Sequence, residues 1–324
     1  MSDDFVENAR RSILAEPISD YIVSGDMSIC ELVENFSKSH GFMASHVSKA
    51  SKILAEMRKD KEVFKILSFT GNLVATGLRG VLTQVIKDGF ADVVITTCGA
   101  VDHDIARSVG SKYFKGDWLY DDAFLRNIEV HRLGNILIPW ENYGLAIERF
   151  TRSLLDELVK ERKEWSGFEL LWEAGKRIKD EHSVLRAAYE KKIPVIVPGL
   201  LDGAFGTNIV FHSTLSGFKL DLLADEKELS NLVFSAKKVG GLIIGGGISK
   251  HHALWWSQFR EGMDYSVYIT TAQEYDGSLS GAHLREAITW GKVKPSARSV
   301  VVYGDATVIL PLVVAGAYCY LKSG

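Results

Sequence analysis

The chain is poor in proline and cysteine, with 6 and 3 of 324 residues. So little proline excludes a polyproline or linker-like polymer. Cys30, Cys98 and Cys319 are odd in number and far apart, without Cys-x-x-Cys or zinc-like spacing, so a reduced, cytoplasmic setting is expected. Charge of one sign is lacking too: 38 Lys and Arg face 41 Asp and Glu, a formal net charge of −3, which offers no field for nucleic acid or an anionic membrane. The opening residues MSDDFVENARR have neither the basic start nor the apolar stretch of an export signal. The longest apolar run, 308–321, contains Pro311 and is shorter than the ~20 residues a bilayer requires. It reads as a buried C-terminal helix.

What is present points to a large folded core, since 46% of residues are hydrophobic and 24% charged. Residues 1–60 carry Ile29, Leu32, Val33 and Phe36 at helical spacing and read as a helical N-terminal extension. From residue 61 the pattern switches to short apolar segments at 64–68, 93–97, 135–138, 195–197, 241–244, 266–270 and 300–302. Amphipathic stretches near 76–88, 147–164, 225–238, 248–261, 282–290 and 306–322 separate them. That alternation predicts a Rossmann-like α/β fold over 61–324, with a largely parallel sheet and helices on both faces.

In such sheets ligands bind beyond the carboxyl ends of the strands. Five ends are rich in glycine and polar residues: Ser68-Phe-Thr-Gly-Asn72, Thr96-Thr-Cys-Gly-Ala-Val-Asp-His-Asp104, Gly199-Leu-Leu-Asp-Gly203, Gly245-Gly-Gly-Ile-Ser-Lys-His-His252 and Gly304-Asp-Ala-Thr307. Small residues there let backbone amides and a helix N-terminus approach a phosphate, which makes a dinucleotide the natural ligand. The glycine run departs from the standard G-x-G-x-x-G, because Lys250 stands at the third glycine, and a plain tight turn explains that loop equally well by itself. Asp202 and Asp305 suit ribose hydroxyls or turn and helix caps. Adjacent His251 and His252 project in different directions, so they suit acid–base chemistry better than metal binding, and no metal is expected. Asp102-His103-Asp104 reads as cofactor-adjacent or structural.

The densest chemistry lies in 271–292. Gly291 stops a helix over 282–290 and Lys292 follows it. A lysine desolvated beside an aromatic such as Trp290 loses affinity for its proton and can attack a carbonyl or imine carbon, forming a Schiff base. Glu286 and Asp276 would bind a cationic amine or move protons. The plain alternative is a solvated lysine favouring a helix C-terminus.

Taken together, Gly245-Gly-Gly-Ile-Ser-Lys-His-His252, Asp276-Gly-Ser-Leu-Ser-Gly281 and Glu286-Ala-Ile-Thr-Trp-Gly-Lys292 resemble the deoxyhypusine synthase family. The resemblance spans most of the chain. It takes in Thr70-Gly-Asn-Leu-Val-Ala-Thr-Gly-Leu-Arg79, Thr96-Thr-Cys-Gly99, Arg132-Leu-Gly-Asn135, Glu141-Asn-Tyr143, Asp202-Gly203 and Tyr303-Gly-Asp-Ala306. It implies NAD-dependent transfer of the 4-aminobutyl group of spermidine to one lysine of the translation factor 5A precursor, by a cytoplasmic homotetramer with sites at dimer interfaces.

By the same resemblance Lys292 is the imine-forming lysine and His251 the proton shuttle. Glu286, Trp290, Asp276, Gly277, Ser278 and His103 belong to the amine site. Asn72, Thr97, Gly99, Asp202, Gly246, Thr271, Ala272, Asp305 and Ala306 contact NAD. Four positions depart from the eukaryotic form: Gly71 replaces a serine, His103 a glutamate, and Thr207 and Leu279 two amine-holding aspartates. Each lost carboxylate removes a charge-assisted contact worth about 1.5–3 kcal/mol. An archaeal-type member with a rearranged amine pocket fits this pattern. So does a homospermidine synthase-like or other polyamine aminobutyltransferase, or a catalytically inactive NAD-binding paralogue.

Overall fold

The structure, a computed structural model, describes residues 3–322. Six of the apolar segments become one sheet: β1 (Val63–Phe69), β2 (Val93–Ile95), β3 (Val195–Ile196), β4 (Lys238–Ile244), β5 (Met263–Thr270) and β6 (Val293–Tyr303). Successive side chains serve opposite layers. Ile66, Val93, Ile95, Ile243 and Val301 enter one core, while Leu67, Val94, Leu242, Ile244, Val300 and Val302 enter the other. A strand buried on both faces must read as a continuous apolar run, as these do.

Every pairing in this sheet is parallel and the order is β6-β5-β4-β1-β2-β3. The winding reverses between β1 and β4, the switch point where such sheets open a ligand crevice. Because β1 and β4 pair in register from Val63 with Lys238 to Phe69 with Ile244, Thr70 and Gly245 emerge side by side. The Asn72 turn and the glycine loop therefore flank one crevice.

Segment 135–138 corrects the sequence reading. It forms a strand, Ile136–Pro139, but in a separate three-stranded sheet, antiparallel to both Phe114–Lys115 and Val130–Leu133. The reason is the tight Gly134-Asn135 connection, with Gly134 at φ +59°. So short a turn joins antiparallel strands, whereas parallel neighbours need a long crossover. A short parallel ribbon, Glu164–Ser166 with Lys219–Asp221, was also not foreseen.

The first residues are helical: α1 (Asp3–Ile13), α2 (Ile29–Ser39) and α3 (Phe42–Lys59). Ser28 and Glu31 close a capping box at the start of α2. Helix α3 is largely core, with Leu54 and Met57 buried. Met57 lies so close to the sheet that a Cβ on Gly240 of β4 would sit 2.5 Å from its Sδ, so a side chain there would force the Met57 side chain to move.

Later helices used below are α4 (Leu78–Lys87), α5 (Cys98–Ser108), α6 (Val184–Lys191), α7 (Ala204–Ser216), α8 (Gly247–Ser257), α9 (Leu284–Thr289) and α10 (Ala306–Lys322). The apolar run at the C-terminal end is α10, with Leu310, Val313, Val314 and Ala317 buried. No helix among the described residues is long and apolar enough to cross a membrane.

The cysteines are a second correction. Cys30 of α2 and Cys319 of α10 form a disulfide, with Cα atoms 5.6 Å apart, leaving Cys98 free and buried. A sequence separation of 289 hides this pair, because only the packing of α2 and α10 brings the two together.

Candidate active site

At the end of β4 the chain must turn at once into α8. Gly245 and Gly247 adopt φ of +77° and +66°, conformations that favour glycine, and a Cβ on Gly246 would lie 2.1 Å from Ser280 Oγ. The N-terminus of α8 has no side-chain cap, and the Gly247 N–H donates to Ser280 Oγ at 3.1 Å. One face of α8 then presents His251, Leu254 and Trp255, spaced i, i+3 and i+4.

Against that face lies a cavity of about 340 Å³, closed by Leu279, Ala282, Glu286, Ala287, Trp290 and Lys292. Gly291, at φ +66°, ends α9: its N–H donates to Ile288 O at 3.0 Å and that of Lys292 to Ala287 O at 2.9 Å. This stop was expected, and it delivers Lys292 to the cavity. Lys292 Nζ lies 5.5 Å from the Trp290 ring centroid and 5.7 Å from that of Trp255, within cation–π range of both. Among the described residues no carboxylate pairs with this ammonium, and no hydrogen bond reaches the Glu286 carboxylate. The cavity holds uncommitted charge between aromatic walls.

The His251 ring lies against that of Trp255, with centroids 5.9 Å apart and planes tilted by 30°. Burial, then the charges of Lys292 and His252, hold His251 below the ordinary histidine range. His252 turns the other way and meets Glu226 at 3.1 Å. Sequence reading passed over Lys250, Trp255 and His283 as lining residues. The i+4 spacing of His251 and Trp255 was the available signal for one of them. Lys250 is 2% exposed, and desolvation brings its pKa down to about 8.

Asp276, Gly277 and Ser278 lie on an exposed turn outside the cavity lining, where Asp276 Oδ1 accepts from the Ser278 N–H at 2.7 Å. His103 sits on α5, away from the cavity, 2.9 Å from Tyr113 Oη. Burial and Arg107 hold its pKa down to about 4. Its neighbours are architectural. Asp102 accepts from the N–H groups of Ala204 and Phe205 at 2.8 and 2.7 Å, capping α7. Asp104 binds Arg79 at 2.6 Å and caps α6 through Ser183 Oγ and the Leu185 N–H.

The remaining candidates line the strand ends. Asn72 and Gly71 follow β1, Thr97 and Gly99 follow β2, and Asp202 follows β3. Thr271 and Ala272 follow β5, and Asp305 and Ala306 follow β6. Asp305 also caps α10, accepting from the Thr307 N–H at 2.8 Å. Left-handed glycines, a helix N-terminus whose N-cap residue is a glycine and the exposed side chains of Asn72, Asp202, Thr271 and Asp305 fit the pyrophosphate and hydroxyls of a dinucleotide. Among the described residues no group of three or more His, Cys, Asp or Glu side chains is placed to hold a metal ion.

Fold and site together define a doubly wound α/β protein with a lysine-bearing, aromatic-walled cavity beyond the strand ends. The family model for deoxyhypusine synthase matches residues 31–317. A protein of Sulfurisphaera tokodaii named "Probable deoxyhypusine synthase" is 54% identical over 306 residues, covering 94% of this chain and 98% of that one. One of Ignicoccus hospitalis with the same name is 55% identical over 312 residues, covering 95% and 97%. The chain belongs to the deoxyhypusine synthase family, a family of enzymes. Among solved structures, one from Entamoeba histolytica, named provisionally as a deoxyhypusine synthase, shares the fold with a TM-score of 0.62 at 20% identity, covering 93% of this chain and 96% of that one. The complex of AgrE with ornithine and NAD+ has a TM-score of 0.54 at 14% identity, covering 86% of this chain and 34% of that one.

Proposed function

We propose that this chain is an NAD-dependent deoxyhypusine synthase, carrying the 4-aminobutyl group of spermidine on Lys292 and passing it to a lysine of the translation factor 5A precursor. The observation that carries this reading is the placement of Lys292, His251 and Glu286 in one aromatic-walled cavity beside the glycine loop. Family membership and the dinucleotide-compatible strand ends support it. A bound nicotinamide would supply reversible hydride acceptance, taking hydride from the amine donor to make an imine and returning it to the imine finally formed on the substrate lysine.

The protein's own groups account for the rest. Glu286 fixes an ammonium end of the donor, and Trp255 and Trp290 flank its methylenes. Lys292 Nζ gives a proton to His251 and attacks the imine carbon, the bond from that carbon to the donor nitrogen breaks, and 1,3-diaminopropane leaves with that same proton, which His251 passes to its nitrogen. The four-carbon fragment stays on Lys292 as an imine until a substrate lysine displaces it. Leu279 in place of a carboxylate leaves Glu286 as the one carboxylate of the cavity lining among the described residues, so the far end of the donor is held less strongly than two carboxylates would hold it. Residues Asn72, Thr97, Gly99, Asp202, Gly246, Thr271, Ala272, Asp305 and Ala306 would hold the cofactor. A homotetramer and a cytoplasmic location follow from the same reading.

The test is borohydride trapping after incubation with spermidine and NAD, read by peptide mass, then transfer of labelled fragment to the factor 5A precursor. A butylamine adduct on Lys292 and label on the precursor are expected. A folded enzyme with Lys292 unmodified sinks the proposal. Label passed to free putrescine instead of the precursor would place the chain with the homospermidine synthase-like transferases.

A further inference from the structure

Lys250 has no part in the steps above, yet it is the most buried lysine in contact with the cavity, at 2% exposure. An ammonium withdrawn from water is costly unless its protons are taken up by acceptors. Here Nζ donates to Leu279 O at 2.7 Å and Ala282 O at 2.5 Å, and sits 4.0 Å above the Tyr268 ring centroid. The segment between those two carbonyls is held from the same side by other groups. Tyr268 Oη donates to Ser280 O at 2.5 Å, and the Gly247 N–H donates to Ser280 Oγ at 3.1 Å. Leu279 and Ala282 are cavity walls, and two residues beyond Ala282 begins α9, which carries Glu286.

We propose that Lys250 is a positioning residue: its ammonium clamps residues 279–282 against α8 and β5, and so sets the cavity wall and the approach of Glu286 to the amine. The clamp acts through charge and hydrogen bonding, since two carbonyls and an aromatic face converge on one cation. This inference rests on the synthase reading only for its effect on turnover, and its effect on the loop is measurable without substrate.

The first measurement is amide hydrogen exchange across 278–283 in the full chain, without spermidine, for wild type and Lys250→Met, which keeps the bulk and removes the cation. Exchange at least tenfold faster in the variant is expected. Unchanged exchange overturns the proposal, whatever the enzyme catalyses. Tyr268→Phe, which keeps the ring and loses one bond to the segment, is expected to loosen the same amides by a smaller factor and serves if Lys250→Met does not fold. Protection unmoved in Tyr268→Phe would then overturn the clamp.

The second measurement is chemical rescue. Lys250→Ala removes the equivalent of n-propylammonium, so n-propylamine is expected to restore both protection of 278–283 and adduct formation at Lys292, whereas n-propanol is not. Equal rescue by the alcohol would show that bulk alone matters and would overturn the charge clamp. Wild type is assayed in parallel. Absence of adduct there defeats the synthase reading, while the exchange result still decides the role of Lys250.

Discussion

Arg79, Asp104 and Asp180 on one side, and His251, Glu286 and Lys292 on the other, both gather charge near the carboxyl ends of the central strands, and they use it in opposite ways. Arg79 is 3% exposed and spends its donors on Asp104 and Asp180 at 2.6 Å each and on Ser108 Oγ at 2.5 Å. Asp104 in turn caps α6, so this cluster locks α4, α5 and α6 together. In the cavity cluster the Lys292 ammonium lies within cation–π range of two indole rings and the Glu286 carboxylate lines the same cavity without a hydrogen bond, with no ion pair between them. Saturated charge is architecture, and charge left open beside a cavity is available for a ligand. The same contrast separates the two members of Asp102-His103-Asp104 that cap helices from the residues of 286–292.

The sharpest way to break this comparison is Lys292→Ala. It should abolish the trapped adduct and slow turnover on the order of 10³-fold or more, with little change in denaturant midpoint. Equal losses of stability and activity would mean that Lys292 belongs to the architectural class. Arg79→Met should do the reverse. Leaving Asp104 buried without its partner costs about 3–5 kcal/mol in urea unfolding, while adduct yield per folded molecule stays near wild type.

Reduction of Cys30–Cys319, or Cys30→Ser, removes a crosslink remote from both clusters. Thermal melts with and without reductant should show a loss of about 2–4 kcal/mol, with adduct formation unchanged at low temperature. The smallest effect belongs to His103. Its pKa of about 4 in the fold lies below the ordinary 6.5, so the stability it contributes is complete above pH 6.5 and is lost as pH falls through 4. Unfolding free energies measured at pH 7, 5 and 4 should fall by on the order of 2 kcal/mol more in wild type than in His103→Asn.

Much of the site was legible because its determinants are local. Gly245 to Gly247, the Gly291 stop and the placement of Lys292 after it depend on backbone conformations that a few neighbouring residues dictate. Lys250 was not legible as a buried group, because its burial depends on carbonyls about thirty positions away on the loop before α9. The hairpin at Gly134 was missed for a different reason: an apolar run of four residues looks alike in a parallel and an antiparallel sheet, and only the length of the connection distinguishes them.

By itself the sequence determined the α/β alternation, seven apolar segments of which six became the central strands, and the glycine-rich ends that follow those strands, because side-chain periodicity and glycine requirements act within a few residues. It was also enough to bring out the family resemblance. Tertiary structure alone decided which cysteines meet, that Asp102 and Asp104 are consumed as caps, and that Trp255 and Lys250 join Lys292 around one cavity. Those outcomes depend on which buried groups find partners across the packed layers, and no local pattern records that.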